Sequence, residues 1–343
     1  MRLKDLSAEL GLSPTTVSRA LNGYPDVNEE TRLRVLEAAR RHNYRPDARA
    51  RSLALGRARA IGHVIPTSTK HEIVNPVFAD FIAGAGETYA RAGYDMVLTV
   101  VTDDAEERHY RDLAATRRVD GIIVHGPRIS DPRIRLLREL GLPFVVHGRV
   151  SDETGPYSWL DVNNRRAFYR ATEFLLDLGH RRIGLVNGLE YMDFALRRRQ
   201  GYLAALADRQ VEADPELMSS EEMTEPYGYR AARRMLALDR PPTAFLAASV
   251  ISALGVRRAV EERGLALGRE VSIVTHDDEL SYFSDPDAVP VFTATRSSVR
   301  EAGRLAADML LGLVEDPHSG PRERLLEAIL TVGRSTGPAP ARD

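Results

Sequence analysis

The sequence predicts an all-α helix-turn-helix head followed by a larger α/β body in two lobes, and three observations carry that prediction. A capped amphipathic helix occupies Ser13–Asn22, directly after a leucine-marked helix that Gly11 ends. Basic charge is concentrated at the front: residues 1–60 hold 12 Lys or Arg against 7 Asp or Glu, while the whole chain is net −2. From Ala60 onward, short apolar runs alternate with amphipathic helical patterns, the rhythm of parallel sheets covered on both faces.

With 343 residues there is room for two or three compact units. A hydrophobic content of 43% and a charged content of 28% are those of a globular protein. No apolar run reaches the length of a membrane span, and no charged-then-apolar signal pattern opens the chain. The chain has no cysteine, which excludes disulfides, thiolate metal sites and a cysteine nucleophile and fits a reducing compartment. A cytoplasmic protein is expected, with a polyanion as the partner of the basic head.

In the head, Leu3, Leu6 and Leu10 mark one face of the opening helix. Ser13 is a good cap, and Pro14 sits at the first helical position, where its missing N–H costs nothing. Val17, Ala20 and Leu21 share one face, leaving Thr15, Thr16, Ser18, Arg19 and Asn22 elsewhere. Small hydroxyl, amide and guanidinium groups opposite an apolar stripe suit a DNA major groove. A third helix starts after Asn28, with Glu29 and Glu30 at its positive end, and Leu33, Leu36 and Ala39 are expected to line its buried stripe. Next, residues 45–59 carry five arginines and one acid around Ala50, Leu53 and Ala54. Such a segment is either a flexible linker or a helix that forms on DNA and wedges Leu53 into the minor groove.

The run from Leu3 to Gly62, with VSRALNG and NYRPD…ARSLA as its most specific parts, resembles the head and hinge of the lactose-repressor (LacI/GalR) family of bacterial regulators. The resemblance implies that Pro14, Thr15 and Arg19 face base edges of double-stranded operator DNA. It sets Ser13, Thr16, Asn22, Asn28, Thr31 and Tyr44 nearer phosphates, and Ala50 and Leu53 in a hinge helix that kinks a near-palindromic operator. It also implies a homodimer that represses transcription.

For the body, the resemblance implies a periplasmic-binding-protein-like fold of type I. The expected divisions are a head at 1–44, a hinge at 45–59 and a ligand-binding domain at 60–343. Lobe 1 would take 60–160 and 292–321, lobe 2 would take 161–290 and 322–336, and 337–343 would be a tail. The chain would cross between lobes near Leu160, Val291 and Arg322, with the strand at Phe292 returning to the first lobe and the last strand joining the second. Effector would lie where the strand C-termini of both lobes meet.

Two strand ends carry matching triplets, Val124-His125-Gly126 and Val146-His147-Gly148, which suggests pocket histidines; neither has a second ligand at metal-binding spacing. By resemblance, Phe78, Arg198 and Asp277 are effector contacts, and Trp159, the only tryptophan, is either a sugar-stacking ring or core. Ala248-Ser249, Met223 and Asn163-Asn164 depart from the family pattern, so the ligand cannot be copied from the best-known members. Phrases such as VHGPRISDPRI and LPFVVHGR most resemble regulators of α-glucoside use, which makes a sugar the expected effector.

No cofactor, metal or enzyme activity is expected. The GRSTG run at Gly333–Gly337 satisfies G-x-S-x-G, but only PAPARD follows, without the histidine that chemistry needs. The glycines at Gly84 and Gly86 lie within a helical pattern rather than after a strand. A transport-type sugar-binding module would require a leader and no basic head. The absence of a heptad-bearing tail makes a dimer, rather than a tetramer, the expected assembly.

Overall fold

The computed structural model describes residues 1–44, 57–66, 75–153, 155–281 and 289–341. It divides into two compact units, Met1–Arg59 and Ala60–Asp343. The expected hinge contacts Ala50 and Leu53 lie outside the described residues.

The head is three helices, α1 (Leu3–Leu10), α2 (Pro14–Leu21) and α3 (Glu29–Arg41). Gly11 adopts the left-handed conformation (φ 62°) that ends α1 and turns the chain towards α2. At α2, the Thr16 N–H donates to Ser13 Oγ at 3.0 Å, and at α3 the Thr31 N–H donates to Asn28 Oδ1 at 2.8 Å. Both caps sit where the sequence places them. Leu6, Val17, Ala20, Val27, Val35, Ala38 and Ala39 form the small core. The expected stripe of α3 needs correction, because Leu33 is 58% exposed. Val35 holds the buried face, and Leu33 lies about 200° around the helix from it at 3.6 residues per turn.

The second unit holds two six-stranded sheets. The first runs β2 (Asp95–Val101), β1 (Ala60–Pro66), β3 (Gly121–His125), β4 (Phe144–His147), β5 (Trp159–Val162) and β11 (Glu323–Leu326), all parallel. The second runs β7 (Met218–Ser220), β6 (Ile183–Asn187), β8 (Ala244–Ala247), β9 (Ser272–Asp277), β10 (Thr293–Arg296) and β12 (Ile329–Thr331), with only β12 antiparallel. Parallel pairing requires crossover helices. Those of the first sheet are α4 (Pro76–Ala92), α5 (Glu106–Ala115), α6 (Pro132–Glu139) and α11 (Val299–Glu315). The second sheet has α7 (Asn164–Asp177), α8 (Asp193–Asp208), α9 (Glu225–Leu236) and α10 (Val250–Glu262).

The crossings differ from expectation. The chain passes between lobes at Val162–Asn164, close to the expected Leu160, and at Arg296–Val299 and Leu326–Ile329, several residues beyond the expected Val291 and Arg322. Strand β10 pairs with β9 and stays in the second lobe, and only α11 returns to the first. Strand β11 pairs with β5 in the first sheet, and β12 alone closes the second. Strands of three or four residues show no alternation strong enough to reveal their sheet, and hydrogen-bond register decides it.

Helices α4 and α11 pack closely enough to explain the glycines in the middle of each. A Cβ on Gly84 would lie 2.0 Å from the Arg300 carbonyl oxygen, and one on Gly303 would lie 2.2 Å from that of Phe81. Gly84 of the GAG run is therefore a packing device, whereas a Cβ on Gly86 would meet only Met96 Cε at 3.5 Å. Gly84→Ala is expected to destabilise the unit by about 1–3 kcal/mol, the usual range for overpacking, read as a lower urea midpoint at unchanged slope.

The serine of GRSTG is equally structural. Ser335 is fully buried, with its hydroxyl accepting from the Thr293 N–H at 2.8 Å and donating to the Ile273 carbonyl. It pins the tail between β9 and β10, and no hydroxyl is left for chemistry.

Candidate functional site

On the head, α2 presents Ser13, Pro14, Thr15 and Arg19 as exposed residues, with Thr16, Ser18 and Asn22 half-buried beside them. Asn28 is exposed, and Thr31 and Tyr44 are half-buried. Several of these polar groups already have partners. Ser13 Oγ and Thr16 Oγ1 lie 2.8 Å apart, and the Asn22 amide donates to the Ser18 carbonyl at 2.9 Å. Arg19 is the longest donor on the exposed face, and it contacts Asp26.

In the body, the strand ends of both lobes border a cavity of about 390 Å³. That lies within the range of small-molecule sites. Phe78, His125, His147 and Arg198 line it, as the sequence suggests. Asp277 and Trp159 do not. Asp277 ends β9 facing the other way, with its carboxylate accepting from Arg296 Nε at 3.1 Å and from the Glu279 N–H at 2.9 Å. His276 and Asp278, one residue to either side, line the cavity instead. Trp159 lies one strand step back from Asp161, beneath the Arg149 guanidinium, which sits 5.0 Å from the indole and donates to Asp161 Oδ2 at 2.8 Å.

Arg198 organises the polar end. Its Nε donates to Asn164 Oδ1 at 2.7 Å and its Nη1 to the Ala248 carbonyl at 2.6 Å. Phe168 and Phe194 flank it, their ring centroids 5.1 and 5.0 Å from its Cζ. Burial draws Arg198 down to about 10, against the opposing pull of Asp278 and Asp161, so it remains charged at neutral pH. Burial alone would raise the Asp278 carboxyl, but His276, with Nε2 3.6 Å away, and the Arg198 charge hold it below its ordinary value. Asp161 goes the other way: burial raises it despite Arg149. The departures from the family pattern now have places. Met223 and Asn164 line the cavity, Asn163 caps α7, Ser249 caps α10, and Ala248 supplies only a carbonyl.

The other end is aromatic. The Phe81 ring stacks on His147 at 4.2 Å between centroids, and Phe78 and Phe81 meet the His125 ring edge-on at 5.0 and 5.1 Å. Behind them lies His63, which the sequence reading missed because it sits alone within an apolar strand. Its Nδ1 is 2.9 Å from His125 Nε2 and its Nε2 is 3.2 Å from the Tyr89 hydroxyl. Burial lowers His63 to about 3, and burial and the neighbouring histidines push His125 well down. Burial also lowers His147, to about 4, with Asp278 opposing. All three are neutral at pH 7. Among the described residues no cluster of three or more His, Asp or Glu side chains suits a metal ion.

A folded-state pKa below the unfolded value of about 6.5 means the unfolded chain takes up the proton first, so stability is full above pH 6.5 and falls as pH drops towards 3. Between pH 7 and 5 the fully buried His63 is expected to remove about 2 kcal/mol, at 1.36 kcal/mol per pH unit. Urea melts of the intact protein and of His63→Gln at both pH values measure it; the variant should show the smaller pH-dependent loss.

Main chain closes one side of the cavity. Arg128 and Met192 form an antiparallel bridge between the loops after β3 and β6. In it, the Ile129 N–H donates to the Tyr191 carbonyl and the Asp193 N–H to the Pro127 carbonyl, both at 3.1 Å. Buried Asp193 accepts from the Ser151 N–H at 2.7 Å and pairs with Arg197. Elsewhere the loop after β9 crosses to the first lobe: Leu280 joins that lobe's core, and Asp80 accepts from the Ser281 N–H and hydroxyl, both at 2.6 Å. Asp278 is thus held from both lobes.

Comparison with known proteins bears on both units. Residues 2–47 match the model of the bacterial regulatory proteins of the lacI family, and residues 172–336 match a periplasmic binding protein-like domain. The HTH-type transcriptional regulator AglR of Rhizobium meliloti (strain 1021) is 43% identical over 342 residues, covering 100% of this chain and 96% of that one. Among solved structures, the lac repressor dimer bound to operator and the anti-inducer ONPF superposes with a TM-score of 0.83 at 26% identity, covering 98% and 99% of the two chains. The transcriptional regulator CelR in complex with cellobiose gives 0.72 at 27% identity, again over 98% and 99%.

Proposed function

The chain belongs to the lacI family of bacterial regulatory proteins, and from that premise we propose that it represses carbohydrate-utilisation genes as a homodimer in the cytoplasm, releasing its operator when a sugar enters the cleft of the body. It is a DNA-binding transcription regulator, not an enzyme, as its relatives are. The observation that carries the sugar reading is the make-up of the cavity. A fixed guanidinium, an amide and a carboxylate converge at one end, where they can donate to and accept from adjacent hydroxyls, and neutral aromatic rings form the other. Cellobiose in one structural neighbour supports a saccharide, and the α-glucoside resemblance of the cleft-forming segments narrows it to a glucoside.

The operator side rests on α2, whose exposed residues Pro14, Thr15 and Arg19 would meet base edges while Ser13, Thr16, Asn22, Asn28, Thr31 and Tyr44 flank the backbone. Ala50 and Leu53 are proposed to complete the contact from the hinge. Closing of the cleft would shift the balance between DNA-bound and free dimers only by the sugar's differential affinity for the two states.

A thermal-shift screen of mono- and disaccharides on the full chain tests the reading, with hits then assayed for release of operator duplex. A ligand at 100 times its Kd should add about 2.7 kcal/mol of stability. Asp278→Ala should weaken a hit by about ten-fold or more, and Asp277→Ala should leave its affinity in place. No shift with any saccharide, or conversion of a glycoside to product, would overturn the proposal.

A further inference from the structure

The exposed face of the head holds an acid where a polyanion is expected to dock. Asp26 lies in the loop between α2 and α3, 51% exposed, on a unit whose charge is otherwise basic. An isolated carboxylate there would repel phosphate and weaken binding to every duplex alike. Asp26 is not isolated. Arg19 Nη2 lies 2.7 Å from its Oδ2, and Arg19 Nε donates to its Oδ1 at 3.1 Å. The two groups meet fork to fork, along the side edge of the guanidinium. The Tyr24 ring lies 5.0 Å from Arg19 Cζ and backs the same group. Tyr24 is fixed in turn, its carbonyl accepting from Arg32 Nη2 at 3.2 Å.

A guanidinium has two edges that present paired N–H donors. Nε and one Nη2 hydrogen are committed to Asp26, which does not use the end edge made by Nη1 and the second Nη2 hydrogen, on a side chain that is 45% exposed. That edge matches the adjacent O6 and N7 acceptors of a guanine in the major groove. A free arginine would have to give up its rotamer freedom on binding, and a buttressed one has given up most of it already.

We propose that Asp26 is a positioning residue for base readout: it holds Arg19 by one edge so that the other recognises guanine, and it thereby sets discrimination at one base pair of each operator half-site. This rests on the reading that α2 enters the major groove with Arg19 towards the bases. The alternative role for Asp26, a plain surface ion pair, would have little effect on sequence preference, since exposed pairs contribute little.

The test uses the full-length protein and a pool of duplexes randomised across a pseudo-palindromic site. Wild type, Asp26→Ala, the near-isosteric Asp26→Asn, Asp26→Glu, Arg19→Ala and the Arg19→Ala/Asp26→Ala double variant are compared at two salt concentrations. Expected is a preference for guanine at one position of each half-site that falls about ten-fold in Asp26→Ala and Asp26→Asn and is partly restored in Asp26→Glu. The double variant should discriminate no worse than Arg19→Ala alone, because the acid acts only through the arginine. If Asp26→Ala instead tightens binding to all sequences equally, with the base preference intact, the carboxylate merely repels phosphate and the proposal fails. If Arg19→Ala leaves the preference intact while the protein still selects a site, Arg19 reads no base and the underlying reading of α2 fails with it.

Discussion

Removing residues 1–59 is expected to abolish duplex binding altogether while leaving a folded body that still binds its small molecule. The division is physical. The head closes its own core around Leu6, Val17, Val35 and Ala38, and the body's sheets and helices start at Ala60. The groups suited to phosphate and base contact, with Arg19, Thr15 and Asn28 among them, lie on the excised part. The remaining body is acidic, and acidic surface repels DNA. Mobility-shift titration reads the loss, and a saccharide-dependent thermal shift of the truncated protein reads what survives. A trimmed body that holds operator as tightly as the intact chain would overturn the assignment of DNA binding to the head.

The second large effect is expected from Arg198→Ala. The side chain is 6% exposed, and its loss strands Asn164 Oδ1 and the Ala248 carbonyl, both buried acceptors, and opens a void between Phe168 and Phe194. Losing these buried, charge-assisted contacts is expected to cost about 1.5–3 kcal/mol of stability each, and losing a charged hydrogen bond to the ligand should lower affinity about ten-fold or more. Arg198→Lys separates charge from geometry. It keeps the cation but cannot bridge Asn164 and Ala248 with a rigid fork, so it should recover stability more than affinity. Calorimetric titration with a hit from the saccharide screen decides it, and unchanged affinity in both variants would remove Arg198 from the binding site.

Which of these features could be read in the sequence follows from how local their causes are. The caps at Ser13 and Asn28 depend on three or four neighbouring residues, and a reader of the chain can find them. The αL turn at Gly11 is of the same kind. Strands β10, β11 and β12 are three or four residues long, too short for alternation to show which sheet they join, and so the second and third crossings are not legible in the sequence. Asp277 and Asp278 are chemically identical neighbours, and only the register of β9 against β10 decides which faces the cleft. His125 and His147 were legible because each stands beside a glycine at a strand end. Their partner His63 was hidden because a lone histidine in an apolar strand carries no pattern of its own. Leu33 misled for the opposite reason, since a large apolar residue invites burial that the helix phase denies it.

The rung joining Arg128 to Met192 is made of peptide groups, and that has an evolutionary corollary. Replacements at Arg128, Ile129 or Tyr191 leave N–H and C=O in place and so leave the rung standing, whereas at Asp193 they also remove the carboxylate that accepts from the Ser151 N–H. Proline is the exception: at Ile129 or Asp193 it would delete a donor. Side chains beside the rung can therefore change while it stands, and variants that lose it should cluster at those two donors.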